Sequence, residues 1–275
     1  MTVIILGAAG QLGRDLCEII PETICLSHTS SGVQKTVDVT STDDIQAAMR
    51  LYTPKVIINA SALTDVDRCE TERKLALEIN GKALKYITRA AREIDAYLVH
   101  ISTDYVFDGN KGYYDEDSVP NPINYYGLSK LVGDVYANSY ENSLIVRTSG
   151  VFGHSANFPR YAFNSLSRGK VLNVIEGYYS PIHAHYLAGT INELLRLRPS
   201  GILNVAGDRT SRLNLAKKIC EIFDFNPGLI KSSAESLKFK AVRPFDSSLN
   251  IEKAKSMISF DFHSLEKNLR LLESS

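Results

Sequence analysis

Tyr126 and Lys130 are the residues of this 275-residue chain whose types and spacing most directly suggest catalysis. Residues four positions apart lie one turn apart on the same face of an α-helix. A nearby ammonium group favours the phenolate and therefore lowers the pKa of a tyrosine from its usual value of about 10. The pair is predicted to exchange a proton with a carbonyl or alcohol oxygen near neutral pH. The same spacing also occurs on ordinary amphipathic surface helices, so its interpretation depends on the rest of the chain.

A glycine-rich turn near the N-terminus is the second feature with chemical meaning. Gly7, Gly10 and Gly13 follow a β-branched run, Thr2–Leu6, and precede an apolar-periodic segment. This order predicts strand, turn and helix, in which the turn and the helix N-terminus bind a pyrophosphate. The spacing is G-x-x-G-x-x-G, not the usual dinucleotide form, so a turn without a ligand is the alternative.

Repeated alternation of strand-like and helix-like segments must position these groups. It predicts a doubly wound parallel Rossmann sheet in residues 1–150 and a smaller α/β substrate domain, mainly in residues 151–275. Within the second part, residues 183–206 are predicted to return to the first sheet. The loops at residues 59–64 and 102–105 follow buried strands, at the sheet edge where α/β proteins bind cofactors. A hydroxyl in the second loop is predicted to contact a substrate carbonyl.

The adenosine end of the cofactor is predicted near the second strand, residues 22–27. No acid follows this strand, which permits NADPH, and NADH remains an alternative because no arginine follows it either. His28 and Thr29 are the candidate contacts there. Asp38 and Val39 end another short strand, where Asp38 either contacts the adenine or caps a turn.

Composition narrows the classes of partner. The 31 basic and 31 acidic residues cancel, so we expect neither nucleic acid nor an anionic membrane surface as a partner. No apolar run approaches the ~20 residues of a membrane span, and the N-terminus is typical of a strand and not of a signal peptide. The cysteines lack a CxxC pair and are predicted to be buried free thiols, which suits the cytoplasm. They are Cys17, Cys25, Cys69 and Cys220.

Taken together, these motifs resemble the extended short-chain dehydrogenases/reductases, and among them the dTDP-4-dehydrorhamnose reductases. The segments that carry the resemblance are residues 10–13, 59–67, 102–109, 126–130, 147–149 and 243–244. It implies hydride transfer from NAD(P)H to the C4 keto group of dTDP-4-dehydro-L-rhamnose, which gives dTDP-L-rhamnose. Tyr126 is then the proton donor, Lys130 lowers its pKa and holds the nicotinamide ribose, and Thr103 bonds the sugar carbonyl.

The resemblance also implies a set of binding residues. Asp104 and Tyr105 are candidate sugar contacts. The implied cofactor contacts are Gly7, Gly10, Gln11, Leu12 and Gly13 at the phosphates, and Ala60, Ser61, Ala62 and Thr64 beside the nicotinamide.

The second half of the chain departs from these relatives. Gly150 stands where they usually carry Trp, and the chain has no Trp. Tyr178 or Tyr179 is predicted to supply the missing aromatic platform for the sugar. Arg243 is predicted to clamp the diphosphate, or else to form a surface salt bridge.

Two further points concern metals and alternative functions. His183 and His185 would share one face of a strand, but no third ligand is evident and we predict no metal. One alternative function is a non-catalytic regulatory subunit resembling that of methionine adenosyltransferase. Another is a related nucleotide-sugar epimerase or reductase. The predicted partner is a nucleotide sugar, and the chain is predicted to be a monomer or homodimer.

Overall fold

The computed structural model describes residues 2–28, 35–155, 157–232 and 239–273. The strands in this part of the chain are β1 (Val3–Leu6), β2 (Thr23–Ser27), β3 (Lys35–Thr36), β4 (Val56–Asn59), β5 (Tyr97–Thr103), β6 (Ser143–Thr148), β7 (Val151–Phe152), β8 (Leu172–Val174), β9 (Tyr178–Tyr179), β10 (Ile182–His183), β11 (Gly201–Asn204), β12 (Thr210–Ser211) and β13 (Ile230–Ser232). The α-helices are α1 (Gln11–Ile19), α2 (Thr42–Tyr52), α3 (Val66–Thr71), α4 (Arg73–Ala76), α5 (Ala83–Glu93), α6 (Tyr125–Asn138), α7 (Phe158–Ser167), α8 (Ala184–Leu197), α9 (Arg212–Phe223), α10 (Glu252–Met257) and α11 (Leu265–Arg270).

The main sheet has seven parallel strands in the order β11-β6-β5-β4-β1-β2-β3. Its central strands are short apolar runs, as expected where helices cover both faces of a sheet. Ile4 of β1, for example, pairs with Ile24 on one side and Ile57 on the other. The order reverses between β1 and β4, and ligands of doubly wound folds bind at such a point. The predicted fold class is confirmed.

Alternate side chains of the strands enter two separate apolar layers, because successive side chains point to opposite faces. Val3 and Ile5 of β1 pack in the layer that includes side chains of α1 and α8. Ile4 and Leu6 pack in the layer that includes side chains of α2 and α5.

The second half of the chain contributes to both ends of the molecule. Helix α8 packs on α1, and β11 pairs with β6 at the edge of the main sheet. A third apolar cluster, which includes Phe152, Leu166, Leu215 and Leu269, holds α7, α9 and α11 together. The small sheets β8–β13 and β9–β12 accompany these helices. The division into domains at residue 150 stays a prediction.

Three expectations about local structure are corrected. Cys17 and Cys25 form a disulfide, so the free-thiol prediction is wrong for them; Cys69 and Cys220 are buried and free. Helix α1 and strand β2 place the two cysteines opposite each other, with 6.3 Å between their Cα atoms. The turn between the two elements brings the cysteines together. Because they are eight residues apart, the sequence contains no CxxC pair that would have indicated the disulfide.

The long helix predicted near residues 75–94 contains a π-helical segment, Leu77–Lys82, between α4 and α5. His183 and His185 do not share a strand face, because His183 ends β10 and His185 lies on α8. The His183 side chain instead accepts a hydrogen bond from the backbone N–H of His185, at 3.1 Å. In the part of the chain described, no helix is long and apolar enough to cross a membrane.

Candidate active site

Helix α6 places Tyr126 and Lys130 on the wall of a cavity. The helix begins after Asn124, whose side-chain oxygen accepts a hydrogen bond from the N–H of Gly127 at 2.8 Å and so caps the first turn. The Lys130 ammonium donates to the carbonyl of Ile101 in β5 at 2.6 Å. The Tyr126 ring lies edge-to-face against Tyr105, with 5.8 Å between centroids. Both predicted catalytic side chains are therefore fixed by contacts outside their own helix.

Burial dominates the acid–base character of this pair. Burial raises the pKa of Tyr126 above its ordinary value, and a hydrogen bond with the Thr103 hydroxyl opposes the rise only in part. Burial lowers the pKa of Lys130 to about 8, against the attraction of Asp134. In this structure burial is the dominant influence on the pKa of Tyr126, and the effect of Lys130 on that pKa stays a prediction. Tyr126 is thus protonated at neutral pH, which suits a proton donor.

A buried carboxylate positions Thr103 beside the tyrosine. The Thr103 hydroxyl donates to Oδ1 of Asp104 at 3.1 Å and accepts from the N–H of Tyr105 at 3.2 Å. Oδ2 of Asp104 accepts from Ser149 at 2.7 Å and from Ser247 at 2.6 Å. Burial raises the pKa of Asp104 to about 6, while these three hydroxyl groups act to lower it. Asp104 is 3% exposed, which favours a positioning role over the predicted sugar contact.

The glycine turn at the end of β1 fits a phosphate group. Gly7 has a φ of +85°, and a Cβ added there would lie 2.6 Å from the backbone nitrogen of Ser61. Only glycine allows this approach. Helix α1 begins at Gln11 after Gly10, which has no side chain to cap it. The first N–H groups of the helix are therefore available to an anion.

Gln11 has a structural role in addition to its backbone position. Its amide nitrogen donates to the carbonyl of Val151 at 2.8 Å, and its oxygen accepts from the N–H of Ser155 at 2.8 Å. The side chain therefore ties the glycine turn to the start of the second half.

One cavity of about 540 Å³ joins this turn to the tyrosine, and it unites most of the predicted cofactor and catalytic residues. Its lining includes Gly10, Gln11, Leu12, Ala60, Ala62, Thr64, Thr103, Asp104, Tyr105, Tyr126 and Lys130. Its glycine cradle, uncapped helix start and length toward Tyr126 fit a dinucleotide with its nicotinamide at the tyrosine. Ser61 lies beside the turn, where its hydroxyl donates to Asn59.

Of the predicted adenosine contacts, His28, Asp38 and Val39 are absent from the described lining of this cavity. His28 is exposed just beyond β2, and Thr29 lies outside the described residues. Oδ1 of Asp38 accepts from the N–H and the hydroxyl of Thr40, at 2.8 and 2.7 Å. Asp38 therefore shapes a turn, the alternative that its sequence left open. Its adenine contact, and that of Val39, stay predictions.

Two further cavities extend from the tyrosine toward the second half. The smaller, of about 150 Å³, shares Asp104, Tyr105 and Gly150 with the first cavity. The larger, of about 770 Å³, shares Arg212 and Pro244 with the smaller. Shared walls thus arrange a cofactor cavity, a small middle cavity and a large outer cavity in series.

Both predicted tyrosines line the middle cavity, in different surroundings. Tyr178 is covered by the guanidinium of Arg209, whose Cζ lies 3.9 Å from the ring centroid. Tyr179 is 8% exposed and lies against Gly150.

Arg243 lines the outer cavity and forms a salt bridge, one of the two alternatives predicted for it, and its contact with a diphosphate stays a prediction. Its Nη2 lies 3.2 Å from Oδ1 of Asp67, and its Cζ lies 4.9 Å from the ring centroid of Phe239. Its Nη1 is buried without a hydrogen-bond partner in the described part of the chain. One face of the guanidinium group is thus engaged, and one nitrogen remains for a ligand.

Two residues of this site were missed. Arg212, at the first position of α9, lines both the middle and outer cavities. A cation at a helix N-terminus is unfavourable, because that end of the helix dipole is positive. Its presence in the sequence could have indicated that an anion binds there. Asn80, within the π-helical segment, exchanges hydrogen bonds with the backbone of Leu63 at 2.8 and 3.1 Å and donates to Ser129 at 3.0 Å. It ties the loop after β4 to α6, and π-helical segments often mark functional sites.

The seven-stranded parallel sheet, the glycine turn and the helix that carries Tyr126 and Lys130 together define an extended short-chain dehydrogenase/reductase. More narrowly, the chain belongs to the RmlD substrate binding domain family, whose model matches residues 1–273.

Relatives of known name share nearly the whole chain. A probable low-salt glycan biosynthesis reductase, Agl14 of Haloferax volcanii, is 32% identical over 87% of this chain and 83% of its own. The crystal structure of a hypothetical dTDP-4-dehydrorhamnose reductase from Sulfolobus tokodaii is 46% identical, with a TM-score of 0.91 over 98% of this chain and 99% of its own. The dTDP-4-dehydrorhamnose reductase of Bacillus anthracis, solved with NADP, is 30% identical, with a TM-score of 0.87 over 100% and 99%.

Proposed function

We propose that the protein reduces the C4 keto group of dTDP-4-dehydro-L-rhamnose to give dTDP-L-rhamnose, with NADPH as the preferred cofactor and NADH as the alternative. The observation that carries the proposal is the convergence of Thr103, Tyr126 and Lys130 on the cavity that begins at the glycine turn. The names of the S. tokodaii and B. anthracis relatives support this substrate.

Bound NAD(P)H supplies the hydride, and the protein supplies the proton. Addition of hydride to the keto carbon leaves a negative charge on its oxygen, and Tyr126 donates its proton there. The raised pKa of Tyr126 keeps the phenol protonated until that charge develops. Thr103 is a second donor to the same oxygen, once its hydrogen turns from Asp104 toward the sugar.

Lys130 has donors left for this work. Its ammonium group carries three N–H bonds, and the carbonyl of Ile101 accepts one of them. The other two are available to the hydroxyl groups of the nicotinamide ribose and to the phenol. Lys130 therefore positions the cofactor and offsets negative charge on Tyr126 after the proton has left.

The arginines of the middle and outer cavities suit the diphosphate. Arg212 lines both cavities, and Arg243, whose Nη1 has no hydrogen-bond partner among the described residues, lines the outer one. Guanidinium groups bind phosphate oxygens in pairs of parallel hydrogen bonds. Phe239 and Phe245, also in the outer cavity, provide aromatic surface for a base. This order supports a position for the sugar between the diphosphate and Tyr126.

The test is NADPH oxidation by purified protein with dTDP-4-dehydro-L-rhamnose, and identification of the product by NMR. Tyr126→Phe should lower kcat at least about 100-fold, because it removes the general acid, and should leave NADPH affinity unchanged. Tyr125→Phe is the matched control, since Tyr125 lacks the four-residue spacing to Lys130. Folded, cofactor-bound protein that does not oxidise NADPH with this sugar would refute the proposal.

The same experiment separates the alternatives. A regulatory subunit would bind nucleotide and give no turnover with any sugar, whereas the assembled Thr103–Tyr126–Lys130 group favours catalysis. An epimerase would return a sugar with unchanged oxidation state, which the NMR spectrum shows directly.

We place the enzyme in the cytoplasm as a monomer or homodimer. The prediction of a cytoplasmic location was based partly on free cysteines, and the Cys17–Cys25 disulfide weakens that argument. Disulfides are rare in the cytosol of mesophiles, but intracellular proteins of hyperthermophiles are an exception. Fractionation and light scattering test the two statements.

A further inference from the structure

Gly150 and Tyr179 form a matched pair at the junction of the cofactor cavity and the middle cavity. Gly150 follows β6 and lines both cavities. A Cβ added to it would lie 2.9 Å from Cε2 and 3.0 Å from Cδ2 of Tyr179. Real side chains almost never approach so closely, so the ring occupies the place that a side chain at residue 150 would take. The absence of a side chain at Gly150 is what admits the ring.

The Tyr179 ring is held firmly in this place. Residue 179 pairs with Thr210 across the β9–β12 sheet, and its side chain belongs to the third apolar cluster. The guanidinium of Arg212 covers the ring, with Cζ 5.2 Å from its centroid. Contacts from strand, cluster and cation leave the ring as a fixed wall of the middle cavity.

The hydroxyl of Tyr179 is one of several buried polar groups that lack a partner among the described residues. It is buried and makes no hydrogen bond within the described part of the chain. Asp104, the buried acceptor of the same cavity, is already bonded to Thr103, Ser149 and Ser247. Buried hydroxyl groups are nearly always paired, so each exception calls for a partner. Because Tyr179 lines the middle cavity, a ligand bound there is the candidate partner.

We propose that Tyr179 determines sugar specificity: its ring forms a wall of the sugar subsite, and its hydroxyl hydrogen-bonds a hydroxyl group of the hexose. This inference rests on the proposed function and deepens it. A site with a buried polar group rejects an analogue that lacks the matching hydroxyl, because the group is then left unpaired. The enzyme therefore prefers hexoses that carry a hydroxyl group facing Tyr179 over the corresponding deoxy sugars.

The experiment compares Tyr179→Phe with wild type, because this variant keeps the ring and removes only the hydroxyl. We expect KM for the keto sugar to rise about 5–10-fold, as loss of one hydrogen bond implies, with kcat and the Kd for NADPH unchanged. The preference for the hydroxylated over the deoxy sugar should fall by the same factor. Tyr186→Phe is the control, since Tyr186 stacks on Phe260 and is absent from the described lining of the three cavities.

Gly150→Ala tests the pairing itself. The added methyl should displace the Tyr179 ring, move its hydroxyl away from the sugar and raise KM. The rise in KM should be smaller when Tyr179→Phe is already present, because the hydroxyl is then absent and cannot be displaced. If the double variant raises KM by the product of the two single-variant factors, the two residues act independently and the pairing is overturned.

Calorimetric binding of dTDP and dTDP-L-rhamnose separates this proposal from the proposed function. In wild type the sugar should improve affinity over dTDP alone, and Tyr179→Phe should lose most of that gain. If Tyr179→Phe turns over the sugar with the KM of wild type and shows the same gain in affinity from the sugar, only the role of Tyr179 is overturned. The proposed function would then stand. Absence of both turnover and sugar-dependent binding in wild type would overturn both proposals.

Discussion

Replacement of Asp104 by Asn should change how the stability of the protein depends on pH. Asp104 is 3% exposed, and burial raises its pKa from the ordinary 3.8 to about 6. A carboxyl whose pKa is raised on folding stabilises the folded state below its unfolded pKa, and this contribution is lost as the pH rises through the folded pKa. The window therefore runs from about pH 4 to above pH 6.

The size of the effect follows from those two pKa values. The difference between 3.8 and about 6 corresponds to about 3 kcal/mol of unfolding free energy, at about 1.4 kcal/mol per pKa unit. About 2 kcal/mol of this falls between pH 4.5 and pH 7.5. Asn keeps an acceptor for the hydroxyl groups of Ser149 and Ser247 and does not ionise. The free energy of unfolding of Asp104→Asn, minus that of wild type, should therefore rise by about 2 kcal/mol over that interval.

Urea unfolding of both proteins at several pH values measures this difference, and other titrating groups cancel in the subtraction. Asp108→Asn is the control, because the Tyr114 hydroxyl lowers the pKa of Asp108. Its difference from wild type should be nearly constant above pH 4.5 and should change only at lower pH. Parallel pH profiles for Asp104→Asn and wild type would show that Asp104 is not perturbed by burial, and the reasoning would fail.

Three other predictions concern the frame of the site. Asn80→Ala should lower the unfolding free energy by about 1–3 kcal/mol, because the N–H of Leu63 loses its partner. It should also weaken NADPH binding, as measured by thermal-shift titration. A purely structural loss would leave the Kd for NADPH unchanged. Reduction of the Cys17–Cys25 disulfide, which spans a separation of 8 residues, should lower stability by about 2–3 kcal/mol; dithiothreitol should have no such effect on the Cys17→Ser/Cys25→Ser variant. Gly7→Ala should abolish NADPH binding or folding, because φ is +85° and the Cβ meets Ser61; normal calorimetric NADPH affinity would contradict this.

The sequence predicted the sheet and much of the arrangement of the candidate site, because both depend on local signals. Buried parallel strands such as β1 are continuous apolar runs, and glycine spacing or a helical Tyr–Lys spacing is visible within a few residues. The carboxyl ends of parallel strands then meet at one edge, so Thr103 and the residue 59–64 loop were predicted beside Tyr126 without any knowledge of contacts.

What the sequence did not predict depends on contacts between distant residues. The three hydroxyl groups on Asp104 come from β5, from the residue after β6 and from residue 247, which lie far apart in sequence. The raised pKa of Tyr126 results from burial by the whole fold, which the spacing within one helical turn does not reveal. The contact of Gly150 with Tyr179 was likewise invisible, although Gly150 and Tyr179 were each singled out.

The most direct test of the central claim is transfer of deuterium from NADPH labelled at C4 of the nicotinamide to the sugar. With label on the transferred face, wild type should place one deuterium at C4 of the dTDP-L-rhamnose product. Tyr126→Phe, folded and with cofactor bound, should form at least about 100-fold less labelled product. NADPH oxidation without deuterium at C4 of the sugar, or full transfer by Tyr126→Phe, would contradict the account.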